Sequence, residues 1–331
     1  MKTQIIAEAG VNHNGKISLA KKMISTAAKF GADYVKFQAY DVNELLLRNT
    51  KKAKYQINKN KKTETQYLML KRLQLKEKDY IVLKNFCKKK KIKFLLSFFD
   101  EKSLQLIKKL NLNEIKIPSG EINNFPLITK IGKLKKKIIL SSGISSLNEI
   151  SQAIKILKKN GTKLKNITVL HCNSEYPTKL KDVNMNAIKT INKFCKVNVG
   201  YSDHTLGFEA ATAAVCLGAK IIEKHFTLNH NYSGPDHKAS LIPNEFKDFI
   251  NQIRKTEILL GNSTKKPSNS ELKNKSFIRK SIVAKKSIKI GDKFSLSNLT
   301  TMRPGIGMPP EKLPVLLNKK SKKNYRAGDF I

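Results

Sequence analysis

The sequence predicts an α/β fold: a (β/α)8 barrel over residues 1–260, a polar connection over 261–275, and a small β-rich domain over 276–331. Three observations carry this. Eight short apolar runs alternate with longer helical patterns up to about residue 260. Polar and ionisable residues gather at the carboxyl ends of those runs, where barrel active sites lie. After Ser276 the pattern changes to short β runs and turns, SIVAKKSIKIGDKFSLSNLTTMRPGIGMPP.

The expected strands are 4–9, 33–38, 93–98, 114–117, 137–142, 167–172, 197–202 and 220–226. Helical patterns such as SLAKKMISTAAKF and SLNEISQAIKILKK separate them, and Ser146 with Glu149 reads as a capping box. No GxGxxG follows the first strand, which argues against an open dinucleotide-binding sheet. Segment 43–75 reads as an insertion ending in the helical stretch ETQYLMLKRLQL and folding over the barrel mouth. A last helix, PNEFKDFINQIRKTEILLG, follows strand eight. The stretch 261–275, GNSTKKPSNSELKNK, is polar and reads as a linker.

The 331 residues suffice for a barrel of roughly 250 residues plus a small domain. No run of 18 apolar residues suggests a membrane span. The start MKTQIIAEAG enters a strand without a signal-like region. Cys87, Cys172, Cys195 and Cys216 lack CxxC spacing and fit reduced thiols. These features lead us to expect a cytoplasmic protein. The net charge of +40 invites a nucleic-acid reading, but of the 65 basic residues six are Arg and 59 are Lys. Phosphate forks and base-edge contacts favour Arg, and no aromatic platform interleaves with the basic runs. A general compositional bias toward Lys accounts for the charge, so we expect no nucleic-acid partner.

Strand alternation locates the chemistry. In YVKFQ, Val35 and Phe37 face the helices, so Lys36 and Gln38 point inward. In EIKI, Ile115 and Ile117 face the helices and Lys116 points inward. A lysine inside a barrel needs an anion or a carboxylate. With Ser97, Ser119, Ser141, Ser142 and Ser202 nearby, the pair suggests a phosphate site beside a carboxylate site. The structural alternative is a pair of Lys–Glu bridges through Glu8, Glu114 or Glu121. Asn12, His13, Asp100, His171, Asn173, Ser174 and Asp203 also fall at strand ends. His171 suits a hydrogen-bonded core position, and His230 and His237 lie in a loop. His204 and His225 end consecutive strands, twenty-one residues apart. Neutral imidazoles so placed can hold one divalent metal and leave positions open.

The motifs IIAEAGVNHNG, YVKFQAY, IKIPSGE, SSGIS, HCNSEYPT, GYSDHT, EKHFT and GPDHKAS, in this order, resemble the N-acetylneuraminate (sialic acid) synthase family. The terminal MRPGIG resembles the antifreeze-like (SAF, β-clip) domain of that family, so the likeness spans essentially the whole chain. It implies condensation of phosphoenolpyruvate with N-acetylmannosamine, or a related N-acetylated amino sugar, and water. Carbon 3 of the enol phosphate attacks the sugar aldehyde, water adds at carbon 2, and phosphate leaves by C–O cleavage. The resemblance further implies Mn²⁺ or Mg²⁺ on His204 and His225. It implies that Lys36, Ser97, Lys116, Ser119, Ser142, Ser174 and Ser202 hold phosphoenolpyruvate. Gln38, Glu121 and Asp236 match sugar-contacting positions, and Glu8 lies beside the reacting atoms. Arg303 matches an arginine that crosses a domain-swapped homodimer into the partner's barrel.

Departures from the family pattern are Ser97-Phe98 where a Thr-Pro pair is usual, and SSGIS in place of a Ser-Thr-Gly-Met run. The chain also stops soon after GDF, which implies a short last strand. The alternative within the same chemistry is an N,N'-diacetyllegionaminate synthase acting on a 2,4-diacetamido sugar, and after it a pseudaminate synthase. The stretch KYQINKNKKTETQYLML resembles the sialic/legionaminic branch. More distant is a metal-dependent aldolase, or one forming a Schiff base at Lys36 or Lys116.

Overall fold

A computed structural model describes residues 2–53, 56 and 64–331. The chain forms two compact units, residues 1–261 and 262–331. The first is a closed parallel barrel of eight strands in sequence order. They are β1 (Gln4–Gly10), β2 (Tyr34–Ala39), β3 (Lys93–Phe98), β4 (Glu114–Ile117), β5 (Lys137–Ser141), β6 (Ile167–Cys172), β7 (Asn198–Asp203) and β8 (Ile221–His225). β8 pairs with β1 to close the ring. Each expected strand is present to within one residue at either end.

Alternation sorts every strand into two faces. Ile5, Ala7, Val35, Phe37, Ile115 and Ile117 face outward and belong to the large core beneath the helices. Ile6, Tyr34, Leu95, Ile139, Leu170 and Ile221 form a separate buried cluster that plugs the barrel interior. Two residues further along the same face, the interior turns polar: Glu8, Lys36, Ser97, Ser141 and Glu223 are buried, with Ser202 buried opposite Glu223. The apolar plug thus closes the amino-terminal end and floors a charged chamber at the carboxyl end.

The expected capping box of Ser146 and Glu149 opens the helix Leu147–Lys159. The insertion after β2 contributes the short helix Val42–Leu45 and the helix Gln66–Leu73. Tyr67, Met69 and Leu73 pack with Val11, Tyr40 and Val42 in one cluster, with Phe99 against it. Val11, Tyr40 and Phe99 follow β1, β2 and β3, so the insertion sits at the carboxyl rim. Most of KYQINKNKKTETQYLML lies outside the described residues. Among the described residues, no helix is long and apolar enough to cross a membrane.

In the second unit the stretch 261–275, expected as a polar linker, contains most of a helix, Asn269–Ile278. The Ser268 hydroxyl accepts from Glu271 N–H and the Glu271 carboxylate accepts from Ser268 N–H, a capping box that the polar composition concealed. β9 (Ser281–Ala284) and β10 (Leu299–Met302) pair antiparallel. Ile282, Ala284, Ile288, Phe294 and Leu299 form a small core. The chain end is paired with β9, where Ile331 N–H donates to Ile282 and Ala284 N–H donates to Asp329.

Candidate active site

Register sets the chamber's neighbours. Glu8 is opposite Lys36, Ser97 opposite Lys116, Ser202 opposite Glu223, and Glu8 opposite His225 across the closing seam. Because all project inward, residues from six strands converge on one space.

Its centre is an ionic cluster. Lys36 Nζ lies 3.2 Å from Glu8 Oε2 and 3.3 Å from Glu223 Oε1. Lys116 Nζ donates to the same Glu223 oxygen at 3.2 Å, and Ser202 Oγ donates to it at 2.9 Å. Both lysines therefore do meet glutamates, as the structural alternative required, but only Glu8 was anticipated. Glu114 instead pairs with Lys137 on the surface, and Glu121 accepts from Asn124 Nδ2 at 2.7 Å. Glu223 is the residue that sequence reasoning missed. The signal was present: in IIEKH it shares an inward face with His225, two residues on.

Electrostatics makes the cluster responsive. Burial pushes the Glu8 carboxyl up to about 7, with Lys36 opposing and Glu223 reinforcing. Burial also acts against ionisation of Glu223, yet Lys116 and Lys36 hold it well below the usual carboxylate range. Burial works against the Lys36 charge, but Glu223 and Glu8 leave it more basic than usual. Lys116, with Glu223 as its carboxylate partner, is lowered by burial. Glu8 Oε2 and Glu223 Oε2 are buried without an aligned hydrogen bond, although the former lies beside the Lys36 ammonium. Such groups are costly unless something else meets them.

A serine-lined recess adjoins Lys116. Gly143 N–H donates to Ser119 Oγ at 2.9 Å, and Ser119 Oγ lies 3.3 Å from Cys172 Sγ. A β-carbon on Gly143 would lie 2.2 Å from Ser174 Oγ, 2.9 Å from Ser119 Oγ and 3.2 Å from Cys172 Sγ. Only glycine lets the Ser174 and Ser119 hydroxyls and the Cys172 thiol converge here, and the two hydroxyls can donate to an anion. Ser142 Oγ donates to Leu170 O at 3.0 Å, and Ser97 Oγ donates to Phe37 O at 3.4 Å. The Ser97 hydroxyl stays on the chamber face opposite Lys116, whereas Ser142 follows the inward Ser141 and lines a cavity with Ile150, His171 and Ile191 instead.

The two histidines stand ring to ring, with centroids 5.3 Å apart. Tyr176, also not anticipated, stacks on His204 at 4.1 Å and meets His225 edge-on at 5.7 Å. His204 Nδ1 is 2.5 Å from Asn173 O. A carbonyl only accepts, so Nδ1 carries the proton and Nε2 keeps its lone pair. Burial lowers His204 to about 4 and His225 well below the usual histidine value. His225 Nδ1 is buried without a partner. Two neutral imidazoles, one with its tautomer fixed and one with an orphaned nitrogen, fit a divalent cation.

A third group surrounds Gly10, whose φ of +49° follows a bulge in β1. A β-carbon there would lie 3.2 Å from Glu8 Oε1, 3.5 Å from Gln38 Nε2 and 3.6 Å from Asp236 Oδ2. Burial raises Asp236 to about 6. Glu121 is half-buried and also raised by burial. Arg303 belongs to the second unit, where its Nε donates to Ile278 O at 2.9 Å.

Several other polar candidates serve structure. Asp203 accepts from Lys224 Nζ and from Thr205. His171 bonds Val183 O, and Asn12 ties the β1 loop to Phe226 O and Ser240 Oγ. Asp100 accepts from the backbone N–H of Asp41 and Ser103. His237 bonds Thr227 Oγ1 and Asn14, and His230 bonds Ser240 O.

The NeuB family profile matches residues 23–265, and the SAF domain profile matches 279–331. The chain is 49% identical to an N,N'-diacetyllegionaminic acid synthase of Campylobacter jejuni, over 100% of this chain and 99% of the relative. It is 40% identical to a Legionella pneumophila protein of the same name, over 99% and 92%. A crystal structure of N-acetylneuraminic acid (sialic acid) synthetase from Leptospira borgpetersenii superposes with a TM-score of 0.72 at 33% identity, covering 83% of this chain and 90% of that one.

Proposed function

The chain belongs to the NeuB family, and from that premise we propose that it condenses phosphoenolpyruvate with a 2,4-diacetamido sugar and water, releasing N,N'-diacetyllegionaminate and phosphate. The observation that supports the chemistry is the buried pair Lys36 and Lys116 meeting at Glu223 beside the Gly143 recess. Two ammonium groups and the converging hydroxyls suit a ligand carrying both phosphate and carboxylate. The choice of acceptor rests on the 49% and 40% identities to legionaminic acid synthases. They favour this sugar over the N-acetylmannosamine expected first.

In this reading Lys116, Ser119 and Ser174 take one anionic group, with Ser97 and Ser202 on other sides of the chamber. Lys36 takes the other. Gln38, Asp236 and Glu121 orient the sugar. Glu8, poised near neutrality, gives a proton to the aldehyde oxygen as carbon 3 attacks, and takes one back from the water that adds at carbon 2. A divalent ion, Mn²⁺ or Mg²⁺, held by His204 and His225 would supply Lewis acidity at the aldehyde. The test is a panel of acceptors with phosphate release as readout. Turnover with the 2,4-diacetamido sugar should exceed that with N-acetylmannosamine. The reverse order returns the chain to the sialic acid reading, and release with neither sugar rejects both.

We further propose a domain-swapped homodimer in which Arg303 completes the partner's sugar site, following the family resemblance. Mixing inactive His225→Ala with Arg303→Ala protein, weakened toward the acceptor, should regenerate full-activity sites after subunit exchange. Verified exchange without recovered activity, or a fully active monomer by light scattering, overturns this arrangement.

A further inference from the structure

We infer that Ser281 is a positioning residue that fixes the loop carrying Arg303, an inference that rests on reading Arg303 as a sugar contact. Ser281 opens β9, and its partner across the ladder is Met302, the residue before Arg303. Its side chain is fully buried. The hydroxyl works in both directions: it donates to Pro304 O at 2.7 Å and accepts from Gly307 N–H at 2.8 Å. One small group thus closes the turn that follows the guanidinium.

The turn's other side is held by main chain. Gly305 N–H donates to Ser276 O at 2.6 Å, and Arg303 Nε donates to Ile278 O at 2.9 Å. A β-carbon on Gly305 would lie 2.7 Å from Arg279 Cβ and 3.0 Å from its carbonyl carbon, so the approach admits only glycine. These contacts use Nε of Arg303 alone. Among the described residues no hydrogen bond or ion pair engages its terminal nitrogens, so the planar fork stays available to a ligand. A side chain already fixed at Nε has less freedom to lose when it binds. Without the Ser281 hydroxyl, Pro304 O and Gly307 N–H lose their shared partner and the turn relaxes.

The test is a four-protein cycle of wild type, Ser281→Ala, Arg303→Ala and the double variant, with KM for both substrates and kcat as readouts. Ser281→Ala should raise the acceptor KM by about tenfold, equivalent to about 1.4 kcal/mol, and leave the phosphoenolpyruvate KM unchanged. In the Arg303→Ala background it should add nothing, because a positioning residue has no effect once the positioned group is gone. Gly305→Ala, which disturbs the turn from the Arg279 side, should reproduce the acceptor effect. A Ser281→Ala loss that persists in the Arg303→Ala background assigns Ser281 to holding the domain together and overturns the inference. So does an unchanged acceptor KM in both turn variants. If Arg303→Ala itself is without effect, the reading of Arg303 fails and the inference falls with it.

Discussion

Turnover should fall to background on exhaustive chelation, Mn²⁺ should restore it, and His225→Ala should lose roughly a thousandfold or more in rate. The magnitude follows from Lewis-acid stabilisation worth several kcal/mol at about 1.4 kcal/mol per decade. The basis is structural. His204 and His225 face each other at 5.3 Å, both kept neutral by burial, one with its Nδ1 proton donated to Asn173 O and one with Nδ1 orphaned. Equilibrium dialysis gives a second readout, since wild type should retain one ion per chain and the variant should not. Full activity of chelated His225→Ala would sink the assignment.

Lys116→Ala should weaken phosphoenolpyruvate binding far more than acceptor-sugar binding. A charge-assisted contact is worth about 1.5–3 kcal/mol, so the apparent affinity should drop roughly 10- to 150-fold. The structure also says why this variant should fold. Glu223 Oε1 keeps Lys36 at 3.3 Å and the Ser202 hydroxyl at 2.9 Å, so the carboxylate is not stranded. Burial already makes Lys116 less basic than usual, and an anionic ligand would offset that cost. Steady-state kinetics with each substrate varied decides the matter. An unchanged phosphoenolpyruvate dependence in a folded variant counts against the site.

The inward lysines were legible because strand alternation is local. Val35, Phe37, Ile115 and Ile117 had to face the helices, which left Lys36 and Lys116 nowhere but the interior. The pairing of the two histidines was legible for the same reason, since consecutive barrel strands are neighbours. The helix at Asn269–Ile278 was passed over because it buries nothing, leaving polar composition to outweigh its capping box.

The sequence by itself determined the strand order, the face of each strand and the residue types available at the barrel mouth. These depend on a period of two and on short connections. Which charge meets which was decided only by closure of the barrel. Lys116 and Glu223 are 107 residues apart, and no spacing rule links them. Pairing β8 with β1 brings Glu8 opposite His225 and sets Glu223 between two lysines. The same closure raises Glu8 to about 7 while holding Glu223 ionised. Desolvation and Coulomb energy depend on distance in space, so two glutamates that look alike in the sequence take opposite states in the fold.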